Sequence, residues 1–76
     1  MGDLKQAIEH LERGEWQAAH EIAQADSSDL ASWAHAIVHL LEGDEANAAY
    51  WYKRAGRAMP DTSDLDEEIQ TLKLSD

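Results

Sequence analysis

The chain has 76 residues, 16 acidic and 6 basic side chains, no cysteine and a formal net charge of −10. That length suits one small domain, and without cysteine neither disulfides nor thiolate metal sites can hold it together, so packed apolar faces must. The negative charge repels the phosphates of nucleic acids and of anionic membranes, so neither is expected as a partner.

The apolar content of 43% is drawn from Ala and Leu more than from Val and Thr, a composition that favours helix over strand. The opening Met1-Gly2-Asp3-Leu4-Lys5 lacks the positive segment and apolar stretch of a secretory signal. No apolar run approaches the roughly 18 residues of a membrane span. A cytoplasmic location is the resulting expectation.

The first element is an amphipathic helix. Leu4, Ala7, Ile8 and Leu11 recur at i, i+3, i+4 and i+7. Asp3 and Gln6 have capping-box spacing, and Gly14 can adopt the left-handed conformation that ends a helix. A second helix, from about Glu15 to Ala25, carries Trp16, Ala19, Ile22 and Ala23 as apolar positions. Asp26-Ser27-Ser28-Asp29 is then a turn made of capping residues.

The third helix, Asp29 to Glu42, is the most apolar segment. After its cap only Ser32, His35, His39 and Glu42 interrupt it, and their spacing places them on one narrow face. Apolar residues surround that face, which predicts burial on most sides. Gly43-Asp44 closes this helix and a fourth runs from Glu45 to Ala58, with Ala48, Trp51, Tyr52 and Ala55 inward. Gly56 falls inside that span, where close helix packing is the expected reason for a glycine. Pro60 stops the helix. Thr62 or Ser63 opens a short final helix with Leu65, Ile69 and Leu72 as its stripe and acidic residues in its first turn.

An offset of 29 residues, the distance from Gly14 to Gly43, superposes the two halves. Ala7 falls on Ala36, Ile8 on Ile37, His10 on His39, Leu11 on Leu40 and Ala19 on Ala48, with Glu15 and Asp44 matched in charge. The expected organisation is therefore one all-α domain of two tandem antiparallel hairpins, residues 3–26 and 29–59, with a C-terminal cap at 62–74.

In Gly43, Ala48, Tyr52, Ala55 and Pro60 the second unit resembles the tetratricopeptide repeat, matching its turn glycine, small and aromatic second-helix positions and closing proline. Trp33, Ala36, Ile37 and Leu40 look like its first-helix pattern with a turn one residue short. The first unit departs further, with Asp26 where a small residue is usual, and the repeat is shorter than the family's length of about 34. The resemblance implies a right-handed helical stack and a role in protein binding. The segment from Trp33 to Gly56 is also similar to one in small bacterial proteins of unassigned function, which supports the fold and transfers no activity.

Two groups of residues carry possible chemistry. His35 and His39 are i, i+4 on one helix face, and antiparallel pairing about the 26–29 turn places His20 level with His35. Three imidazoles there would serve a metal ion, with Glu42 as a possible fourth ligand, in a metal-binding protein or metal-dependent hydrolase. Equally, histidines on an apolar helix serve as packed side chains that bond a neighbour. No His-Glu-x-x-His motif, nucleophile triad, nucleotide loop or calcium loop is present, no catalytic residue is assigned and no cofactor is expected.

The second group is Tyr50-Trp51-Tyr52 followed by Lys53, Arg54 and Arg57. Successive helical side chains diverge by about 100°, so at least one of the three aromatics must face outward. The preferred expectation is an interaction module, homodimeric or bound to a protein or peptide, contacting its partner through Trp16, Trp33, Tyr50, Trp51, Arg54 and Arg57.

Overall fold

The computed structural model describes residues 3–60 and 64–75, in the helices α1 (Asp3–Glu12), α2 (Trp16–Gln24), α3 (Asp29–Glu42), α4 (Glu45–Ala55) and α5 (Leu65–Ser75). Helix α3 is the axis of the molecule. α2 and α4 flank it, while α1 and α5 pack on it and on each other. Every residue from Ala31 to Val38 is buried, Ser32 and His35 included. The narrow polar face of this helix is thus covered at Ser32 and His35, where α2 and α4 pack against α3, half-covered at His39 and open to solvent at Glu42.

The other helices each commit one stripe. Leu4, Ala7, Ile8 and Leu11 of α1 are buried, as their periodicity requires. α2 contributes Ala19 and Ala23, small residues that let it approach α3 closely, and α4 contributes Ala48 and Tyr52. α5 buries Ile69 and Leu72, each stabilising its docking by about 1.5–3 kcal/mol. Polar contacts reinforce the docking: Gln70 Nε2 donates to Glu12 at 2.9 Å, and Lys73 lies 3.3 Å from the same carboxylate.

The helix ends follow from local chemistry. Ser28 is the N-cap of α3, its Oγ accepting the Ala31 N–H at 3.1 Å, and Asp44 caps α4 by accepting the Asn47 N–H at 3.2 Å. Asp3 is the first residue of α1 rather than its cap. The caps proposed at Thr62 and Ser63 lie outside the described residues.

The two halves end their first helices identically. Gly14 N–H bonds Leu11 C=O and Glu15 N–H bonds His10 C=O at 2.8 Å; 29 residues on, Gly43 bonds Leu40 and Asp44 bonds His39 at 2.8 Å. Both glycines have positive φ, 74° and 92°. This is the doubly bonded left-handed cap of helix termini.

Gly56 repeats that geometry at the end of α4, with φ 74° and the Arg57 N–H bonded to the Tyr52 carbonyl at 3.0 Å. Two expectations are thereby corrected. Helix α4 ends at Ala55 rather than Ala58, and Gly56 serves its backbone conformation rather than close packing, since a Cβ there would meet nothing within 4 Å. Arg57 therefore lies beyond the helix.

Along its principal axes the molecule measures 28 × 23 × 22 Å, a nearly isotropic shape produced by α5 folding back over α1 and α3. No helix among the described residues is long and apolar enough to cross a membrane.

Candidate functional site

The three histidines of α2 and α3 converge. His20 and His35 place their Nε2 atoms 3.1 Å apart, with rings nearly perpendicular at 88°. His35 and His39, one turn apart, lie with ring centroids 5.0 Å apart and planes inclined by only 29°. One ring nitrogen from each of the three lies within 4.8 Å of the others. The antiparallel pairing of α2 and α3 about the 26–29 turn creates this convergence, as the residue numbering predicts.

Each ring has a distinct environment. His35 is 6% exposed, and burial, then the neighbouring His20 and His39, push its pKa down to about 4. It is therefore a neutral imidazole near neutral pH. His39 is fixed by Glu42, whose Oε1 lies 2.9 Å from its Nδ1, which leaves Nε2 as the nitrogen available to another group. Glu42 thus orients a histidine rather than standing beside the ring nitrogens as a fourth ligand. Asp44 also lies near His39 and Glu42. Its carboxylate is occupied by Asn47 through both the side-chain amide, at 2.6 Å, and the backbone N–H, and these bonds hold its pKa below the usual carboxylate value.

Trp51 joins the histidines to a surface patch. Its indole stacks on His35 with centroids 3.8 Å apart and an angle of 12°. Tyr50 packs edge-on against Trp51 at 5.3 Å. The Arg54 guanidinium lies 5.1 Å from the Trp51 ring centre and donates to the Tyr50 hydroxyl at 3.3 Å. Tyr50 is exposed (54%), Trp51 is half-buried and Tyr52 is buried, so the three successive aromatics diverge as helix geometry demands.

The remaining residues expected at a contact surface separate from this patch. Trp16 is half-buried and lines a shallow depression of about 540 Å³ with His10, Gly14 and Glu15. Trp33 is 1% exposed and belongs to the core. Its expected contact role is corrected on that ground: the indole N–H donates to Glu68 Oε1 at 2.6 Å, and Arg57 covers its face at 3.5 Å. Arg57 is thereby engaged with Trp33. Sequence reasoning missed Glu68, because a partner 35 residues away on another helix leaves no periodic or spacing signal.

Comparison with protein-family models, with curated proteins and with solved structures finds no match for this chain.

Proposed function

We propose that this chain is a helical-hairpin interaction module that holds a protein or peptide partner through Tyr50, Trp51 and Arg54. The carrying observation is that patch: an exposed tyrosine, a half-buried tryptophan and an arginine already held against both. These three residue types dominate binding energy at protein interfaces, and an aromatic ring fixed before binding loses little entropy on contact. The patch sits in a basic stretch of an otherwise acidic protein, which favours a partner segment with a carboxylate beside an apolar side chain. The net charge of −10 works against two copies meeting, so another protein is the proposed partner rather than a second copy.

The finer architecture we propose is a shortened pair of tetratricopeptide-like units in a right-handed stack with α5 as its cap. The identical helix terminations at Gly14 and Gly43 support it.

Selection of peptides from a random display library on the immobilised protein tests the function. Selected peptides should carry Asp or Glu next to an apolar residue. Their affinity should fall at least about tenfold in Tyr50→Ala and in Arg54→Ala, with helical circular dichroism unchanged. Peptides that bind both variants as tightly as the parent would sink the assignment.

A further inference from the structure

We propose that His20, His35 and His39 together bind one divalent transition-metal ion, such as zinc, through ring nitrogens, leaving a coordination position open. This goes beyond the interaction role, and its three ligands are other residues than the proposed contact residues, although Trp51 borders both sites.

The geometry carries it. Two nitrogens on one tetrahedral zinc, each at about 2.0–2.1 Å, stand roughly 3.3–3.4 Å apart. The Nε2 atoms of His20 and His35 are already 3.1 Å apart. An ion between them requires a slight opening of the pair rather than a rearrangement of helices. His39 completes the set from the next turn of α3, with one of its ring nitrogens within 4.8 Å of one from each of the other two histidines.

The surroundings suit the ion as well. Glu42 accepts from Nδ1 of His39, the carboxylate–histidine arrangement that fixes a ligating ring's orientation and raises its basicity. Trp51 stacked on His35 fixes a second ring and shields it from water. Three neutral nitrogens with no thiolate favour zinc, cobalt, nickel or copper over the oxygen-seeking magnesium and calcium. The grouping of His39 with Glu42 and Asp44 is a weaker alternative, because both carboxylates are already committed to local bonds.

The test is titration of untagged, chelator-treated protein with Zn²⁺ in an excess of Mg²⁺, which saturates the general cation attraction of an acidic surface. Co²⁺ in place of Zn²⁺ reports coordination through its visible absorption. The expected result is one ion per chain and a cobalt spectrum of four- or five-coordinate nitrogen ligation. Affinity should fall roughly 100-fold or more in His20→Ala and in His39→Ala, and about tenfold in Glu42→Gln. His20 and His39 are chosen because both are only half-buried, and circular dichroism is to be recorded on each variant to check its fold. Absence of saturable binding in the parent, or equal binding by the His20→Ala/His39→Ala double variant, would overturn the site. In that case the contact between His20 and His35 is a hydrogen bond between the two rings.

Discussion

The indole N–H of Trp33 donates to Oε1 of Glu68 at 2.6 Å, tying the central helix to the last one across 35 residues of chain. A buried donor that loses its acceptor costs about 1–3 kcal/mol. Glu68→Leu should therefore lower the unfolding free energy by that amount, whereas Glu68→Gln keeps an acceptor and should cost less than half as much. Urea melts of the three proteins decide it: equal midpoints for the parent and both variants would mean the bond contributes nothing.

Tyr52 gives the opposite expectation. Its hydroxyl is buried and makes no hydrogen bond of full geometry among the described residues, although the Glu68 carboxylate and the Trp33 indole lie close enough to act on it. Burial first, then the charge of Glu68, push its ionisation well above the ordinary tyrosine value. Removing a hydroxyl whose contacts are at best poorly aligned relieves a desolvation cost, so Tyr52→Phe should be neutral or stabilising by up to about 1 kcal/mol. A loss of more than that in a thermal melt would show that the hydroxyl is satisfied in solution.

Acid should weaken the metal-free protein through His35. Its folded pKa of about 4 lies below the ordinary value of 6.5, so between these limits the unfolded chain binds more protons. The contribution is present in full above pH 6.5 and is lost progressively as pH falls towards 4. His20 faces this ring from α2, His39 lies beside it on α3, and Trp51 of α4 carries no charge. Subtracting the stability profile of His35→Gln from that of the parent isolates the effect from the carboxylates. The difference should change by on the order of 2–3 kcal/mol across that window, and a flat difference would refute it.

Gly43 is held at φ 92° with open space where a Cβ would stand. Gly43→Ala should cost about 1–2 kcal/mol, all of it conformational, and Gly43→Asn should recover part of that loss because Asn tolerates the left-handed region. If Ala and Asn are equally destabilising in denaturant melts, a steric or bonding cause must replace the conformational one.

Much of this architecture was written in local pattern. The stripe Leu4–Leu11, the cap at Ser28 and the glycines at 14 and 43 act within one or two turns, and the 29-residue offset matched equivalent bonds. The level placement of His20 and His35 was legible because an antiparallel pair about a known turn has simple arithmetic. What escaped depended on distance or on a choice among near-equals. Nothing near Glu68 marks it as the acceptor for Trp33, and only the folding back of α5 joins them. Gly56 was misread because a run of helix formers continues past it to Ala58, and the backbone turns left-handed there anyway. Trp33 and Trp51 have the same side chain, but residence on the enclosed helix rather than a flanking one buries the first and leaves the second half-exposed.

The enclosure of α3 has a consequence for how the molecule comes apart. Both hairpins use that helix, the first through α2 and the second as its own member, so neither can be cut out as a free-standing unit. Cleavage near Ser27 should release two fragments that are largely unfolded alone and regain helix when mixed. Amide protons of residues 34–38 should exchange only through global opening, whereas those of α5, held by one apolar edge and a few polar contacts, should exchange through earlier and smaller fluctuations.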